Sequence, residues 1–227
     1  MVVWLGWSLL TLVAAYLLGS VPTGYLAGRW LKGIDLRSHG SGSTGATNVL
    51  RNLGKGPGFA VLGIDMLKGV LAIALARWVA VLPAVTSAAP DSITSSPWGA
   101  WLTILAGFAA ILGHSRSVWL QFTGGKSVAT SLGILLALYW PSALMAIAVF
   151  VITVSISRIV SLGSIAGAIT VPVVMAIAQQ PLPLILFGLL AALYIVATHR
   201  RNIQRILNGT ESRLGSQSSE DSSSASL

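Results

Sequence analysis

Leu136-Ala137-Leu138-Tyr139-Trp140-Pro141-Ser142-Ala143-Leu144 lies in the middle of an apolar run, 127–157, that exceeds thirty residues. A helix crossing a bilayer needs about 20 apolar residues. The run is too long for one crossing, and Tyr139-Trp140-Pro141-Ser142 offers an interfacial turn at its centre, so it reads as two short spans, 127–140 and 142–157. Working outward, comparable apolar stretches cover 3–27, 57–82, 98–113, 160–179 and 182–198. The expected fold is all-α: a polytopic membrane bundle of seven transmembrane helices, with five or six as the alternative counts.

Composition agrees. Hydrophobic residues make up 54% of the 227 and charged residues only 9%, which no ordinary soluble domain shows. The first apolar run has no basic segment before it and no Ala-x-Ala site after it, so it is expected to be a retained helix rather than a signal peptide. The chain has no cysteine, which excludes disulfides, thiolate metal sites and an enzyme thioester. Three histidines and six acids are too few for a multi-ligand metal site, and no cofactor is called for.

Fourteen Lys and Arg against six acids leave a formal charge of +8. Scattered through short loops and without an aromatic-rich RNA-binding signature, these cations do not suit nucleic acid; anionic lipid or an anionic substrate suits them better. If seven helices alternate, Arg29, Lys32, Arg37, Arg51, Lys55, Arg116, Lys126, Arg158, Arg200, Arg201, Arg205 and Arg213 share one side. The opposite loops, 83–97 and 179–181, contain no Lys or Arg, and Arg77 is the one clear exception. The positive-inside rule then sets the N-terminus out, the C-terminus in and the basic loops in the cytoplasm. Five spans would split the basic loops between sides. Residues 1–214 are expected to form one integral-membrane domain, and the serine-rich tail 215–227 to be disordered.

The polar residues cluster in four groups between the apolar runs. In Gly40-Ser41-Gly42-Ser43-Thr44-Gly45-Ala46-Thr47-Asn48-Val49-Leu50-Arg51, glycines let the backbone turn tightly, and Arg51 can grip a phosphate through two parallel bonds. A flexible connector is the plainer explanation of that segment alone. Gly124-Gly125-Lys126-Ser127 opens a helix, where backbone N–H groups and the helix dipole favour an anion, provided Ser127 or a neighbour caps it. It is not a Walker A loop, because position 120 is Leu. Ser155-Ile156-Ser157-Arg158-Ile159-Val160-Ser161 marks a tight helix connection, and His199 and Asn202 share one face of the last segment if it is helical. Asp65 and Lys68, three residues apart within an apolar helix, are expected to pair and so to position the first loop.

In order, these motifs resemble those of the acyl-phosphate:glycerol-3-phosphate acyltransferase family of bacterial membranes, the PlsY family. The resemblance rests on Gly40 to Arg51, on Gly113-His114 with Phe122-Thr123-Gly124-Gly125-Lys126-Ser127-Val128-Ala129-Thr130, on Ser157-Arg158-Ile159-Val160-Ser161-Leu162, and on His199-x-x-Asn202-Ile203 with Gly209-Thr210-Glu211. It covers nearly the whole chain except the tail. Membership implies seven helices, an active site open to the cytoplasm of the bacterial (inner) membrane, and acyl transfer from acyl phosphate to the 1-position of glycerol 3-phosphate. The products implied are lysophosphatidic acid and phosphate. It also implies catalytic roles for Ser41, Arg51, Lys126, His199 and Asn202, and substrate binding by Thr47, Asn48, Gly124, Gly125 and Ser161. Three departures stand out: Ser43-Thr44-Gly45 replaces Asn-x-Gly, Ser127 replaces the glycine of Gly-Gly-Lys-Gly, and Ser117-Val118-Trp119 lacks a proline.

That chemistry fits the residues. An acyl phosphate is already activated, so positioning and charge stabilisation suffice without an enzyme nucleophile, and no metal is needed. Two other classes fit the residues less well. A carrier for an organic phosphate would show repeats and polar groups at the midplane, whereas these motifs gather at one surface. Acyltransferases fed by acyl-CoA or acyl carrier protein use His-x-x-x-x-Asp, but Trp119 stands five residues after His114.

Overall fold

A computed structural model describes residues 2–90 and 98–215, so the serine-rich stretch from 216 and residues 91–97, Asp91 among them, lie outside the described residues. The described residues are all helical in their regular structure: α1 Val2–Ser20, α2 Thr23–Lys32, α3 Ala46–Leu53, α4 Lys55–Ala80, α5 Pro83–Thr86, α6 Trp98–Ser115, α7 Val128–Ser157, α8 Val160–Ile177, α9 Leu182–Thr198 and α10 Arg200–Leu207. Among the described residues, five segments are long and apolar enough to cross a membrane. A sixth counts if α9 and α10, bent by 60°, are taken as one span. The expected apolar stretches match these helices to within a few residues, except that α1 and α2 extend the first one to Lys32 across the Val21-Pro22 break.

The 127–157 run is two helical halves joined at a kink. Tyr139 leaves helical space (φ −153°, ψ 84°), two residues ahead of Pro141, which cannot donate to the preceding turn. A straight 30-residue helix would be about 45 Å long. Both ends of α7 instead reach one hydrogen-bonded cluster, through Lys126 and Ser161, so the two halves fold back on each other at Tyr139.

Glycines let the helices approach closely. A β-carbon at Gly113 would overlap the Tyr16 carbonyl oxygen where α6 packs on α1, and one at Gly133 would overlap the Met66 carbonyl where α7 packs on α4. In a bilayer, where water does not drive helix association, such contacts supply the packing energy. The core they enclose runs through Ala72, Ile73, Ala106, Ala110, Ile134, Met175 and Phe187.

The Asp65–Lys68 pair forms as expected, with Lys68 Nζ 2.6 Å from Asp65 Oδ1 and both side chains buried. Thr23 Oγ1 donates to the same carboxylate oxygen at 2.5 Å, and Lys68 also donates to the Val21 carbonyl at the end of α1. A buried charge is tolerated only when paired, so this cluster ties the α1–α2 break to α4 and fixes where the loop after α2 begins.

Candidate active site

The four polar groups meet around one cavity of about 440 Å³. Its mouth is polar, lined by Ser41, Thr47, Arg51, Lys126, Ser161, His199, Asn202 and Glu211. Below, it is walled by Leu132, Leu135, Ala146, Phe150, Val171 and Gly188 from α7, α8 and α9. A polar, cationic rim over an apolar shaft fits a molecule with an anionic head and a hydrocarbon tail.

The first loop is an ordered structure, not a flexible connector. Asp35 accepts from the Arg37 backbone N–H at 3.0 Å and grips its guanidinium, and the Arg37 hydrogen bond lowers the Asp35 carboxyl to about 2. Asn48 is buried, and its amide donates to the carbonyls of Leu36, His39 and Ser43 while Oδ1 accepts from Ser41 N–H. It lines the cavity, but its side chain is fully engaged in shaping the loop rather than offered to a ligand. Gly40, at φ +57°, has no room for a β-carbon beside Asn48 Oδ1. Ser43 Oγ accepts from Gly45 N–H at 3.3 Å, which is the turn bond an asparagine could make in its place.

Lys126 Nζ donates to Asn202 Oδ1 at 2.5 Å. Asn202 Nδ2 donates to Glu211 Oε1 at 2.6 Å, and Ser161 Oγ donates to the same oxygen at 2.7 Å. Arg205 Nε completes the carboxylate at 2.6 Å on Oε2. The second, third and fourth polar groups are thus one network, and Arg51 joins the first to it by reaching the Ser212 carbonyl at 3.5 Å. Glu211 is the organising residue absent from the candidate set. Burial opposes its ionisation, but donors Ser161, Asn202 and Arg205 hold its carboxyl below the usual range. Its signal was in the sequence: a carboxylate six residues after Arg205, inside an otherwise cationic motif.

Burial pushes the Lys126 ammonium down to about 8, against the pull of Glu211 and with repulsion from Arg205 and Arg51 adding to it. Burial likewise pushes His199 down to about 4, so it is neutral at neutral pH. Its Nδ1 lies 2.8 Å from the Ile195 carbonyl, which only accepts; Nδ1 therefore carries the hydrogen and Nε2 the lone pair.

The expected phosphate loop needs correction at its glycines. Neither Gly124 nor Gly125 lines the cavity, and Gly125 N–H donates to the His114 carbonyl at 3.1 Å. Both positions are glycine because a β-carbon would overlap His114. What faces the cavity is the start of α7, through Val128 and Ala129, whose orphan N–H groups and dipole suit an anion. Nor does Ser127 cap α7. Its backbone is left-handed (φ +61°), a conformation that explains a glycine in the family pattern, and its Oγ donates instead to the Ile111 carbonyl at 2.8 Å.

The glycerol-3-phosphate acyltransferase family model matches residues 9–209. A glycerol-3-phosphate acyltransferase of Trichormus variabilis is 58% identical over 212 residues, which cover 93% of this chain and 94% of that protein. The Acaryochloris marina enzyme of the same name is 55% identical, covering 95% and 96%. Two crystal structures of PlsY, an integral membrane glycerol 3-phosphate acyltransferase, superpose closely. The glycerol 3-phosphate form has a TM-score of 0.79 at 36% identity, covering 92% of this chain and 96% of that one. The lysophosphatidic acid form has a TM-score of 0.77 at 35% identity, covering 92% and 95%. With its four motifs gathered on one cavity and relatives matched along nearly their whole length, this chain belongs to the glycerol-3-phosphate acyltransferase family, the PlsY family of integral membrane proteins.

Proposed function

We propose that the protein transfers a fatty acyl group from acyl phosphate to the 1-hydroxyl of glycerol 3-phosphate, releasing lysophosphatidic acid and inorganic phosphate. One observation carries this reading: a cationic mouth formed by Arg51 and Lys126 opens directly onto an apolar shaft between helices. Acyl phosphate has just that shape, and no nucleophilic side chain is required to activate it. The glycerol hydroxyl oxygen attacks the acyl carbonyl carbon, the bond from that carbon to the phosphate oxygen breaks, and the departing phosphate carries away the hydroxyl proton.

The residues then divide the work by chemistry. Arg51, Lys126 and the first turn of α7 balance phosphate charge, Ser41 and Thr47 supply hydroxyls at the rim, and Asn202 and Ser161 aim the lysine through Glu211. His199 presents Nε2 as an acceptor for a glycerol hydroxyl, which makes it the second choice as base.

The same reading gives seven crossings, with α7 supplying two short ones, the N-terminus outside and the cavity mouth at the cytoplasmic face of the bacterial inner membrane. The fold-back of α7 and the gathering of Arg and Lys at the mouth support it. The test is phosphate release from palmitoyl phosphate by the purified protein, with lysophosphatidic acid followed in parallel. Release in equal amounts, only when glycerol 3-phosphate is present, is the expected result. Release without the acceptor, or turnover with acyl-CoA alone, would overturn the proposal.

A further inference from the structure

The cavity has a floor, and three independent segments give it the same depth. From mouth to deepest lining residue, α7 runs Lys126 to Leu135, α8 runs Ser161 to Val171, and α9 runs His199 back to Gly188. These are intervals of nine to eleven residues, or about 14–16 Å of helix at 1.5 Å each. An extended hydrocarbon advances about 1.2 Å per bond, taking three backbone bonds to one residue's reach, so the shaft accepts about 12–13 bonds, a chain of about 13–14 carbons with its carboxyl at the mouth.

What stops the shaft is specific. Met175 lies one turn beyond Val171 on α8, is fully buried, and belongs to the core beneath with Ile134 and Phe187. A β-carbon on Gly188 would stand 3.1 Å from Met175 Sδ and 3.2 Å from Val171 Cγ1, so these two side chains already fill the space against the α9 backbone. We propose that Val171, Met175 and Gly188 form a plug that sets the longest acyl chain the enzyme transfers. This rests on the acyl-phosphate reading above, with the tail directed down the shaft.

Two variants move the plug in opposite directions. Met175→Ala removes the side chain one helical turn below the floor, which lengthens the shaft by about 5 Å, or about four carbons. Val171→Phe fills it from above and shortens it by a similar amount. The profile of kcat/KM is measured over acyl phosphates of 10 to 20 carbons for the purified wild type, both variants and Met175→Leu, which conserves volume. In parallel, melting temperatures are recorded with saturated alkyl phosphates of the same lengths, which bind without reacting.

The expected result is a wild-type optimum near 14 carbons, unchanged in Met175→Leu. The 18-to-14-carbon ratio rises about tenfold in Met175→Ala, and the 10-to-14-carbon ratio rises about tenfold in Val171→Phe, a size typical of discrimination by a few methylenes. Melting shifts should follow the same order. If both variants turn over acyl phosphate with the wild-type length profile, the plug is refuted and the tail leaves the shaft sideways. If no acyl phosphate turns over in the wild type yet alkyl phosphates show the length shifts, the plug stands and the donor assignment falls.

Discussion

Raising the pH should disarm the free enzyme through one side chain. Lys126 is half-buried and held at about 8 chiefly by that burial. An ammonium loses its charge as pH rises through its pKa, so between pH 7 and 9 the charged fraction of Lys126 falls from about nine-tenths to one-tenth. If that charge is needed to engage a phosphate, kcat/KM falls about tenfold over the interval, with a limiting slope of −1. The substrates do not confuse the window, since a phosphomonoester, with its second pKa near 6, is already about nine-tenths dianionic at pH 7. A bound phosphate favours the charged lysine, so kcat itself should hold to higher pH than kcat/KM. Lys126→Arg, whose guanidinium stays protonated, should run at a lower rate but lose the alkaline limb, while Lys126→Ala should abolish turnover in a folded, inserted protein. The assay is initial phosphate release at subsaturating donor across pH 6.5–9.5. An alkaline limb of the same midpoint in Lys126→Arg would refute the assignment.

Arg51→Lys keeps the charge but not the two-pronged grip, so KM for an anionic substrate should rise severalfold with the protein equally stable; unchanged kinetics would remove Arg51 from phosphate binding. Glu211→Gln keeps the shape of the network but not its charge, and should cost about 1–3 kcal/mol of stability, read as a lower melting temperature, along with most activity. Asp65→Asn leaves the Lys68 ammonium buried without its counter-charge and should cost about 3–5 kcal/mol, seen as loss of folded protein from the membrane; normal yield would show that Val21 and Thr23 suffice. Because burial holds His199 near 4, it stays neutral down to pH 5, and an acid limb near pH 6 should belong to the acceptor's phosphate. Replacing glycerol 3-phosphate with its phosphonate analogue, whose second ionisation lies higher, should then move that limb upward, and a fixed limb would argue against it.

Much of this was readable from the chain. The apolar stretches match the helices because hydropathy and length leave a membrane segment little choice, and the Tyr-Trp-Pro-Ser interruption marked the break inside α7. Lys126, Ser161, His199 and Asn202 converge as expected because each sits beside a helix terminus at the same end of the bundle. What the sequence concealed was direction. Nothing in Gly124-Gly125 says that the missing β-carbons make room for His114 rather than for a ligand, since both readings need the same residue. Nor does an asparagine declare whether its amide faces loop carbonyls, as Asn48 does, or a substrate. Glu211 stands in the fourth motif as a lone carboxylate among arginines, and its part in the network shows only in its three donors, Ser161, Asn202 and Arg205.

The order in which the network is made has a consequence for how the enzyme matures. Lys126 and Ser161 emerge from the ribosome well before Asn202, Arg205 and Glu211, the groups that fix them in place. A nascent chain can insert α1 to α9 and already possess the greasy shaft, yet its lysine has no amide to aim it. The lysine is therefore held in place only once the 199–211 segment, which follows all the long apolar helices, has been made. A prematurely terminated chain ending after α9 would keep the apolar shaft but lack every group that holds Lys126 in place.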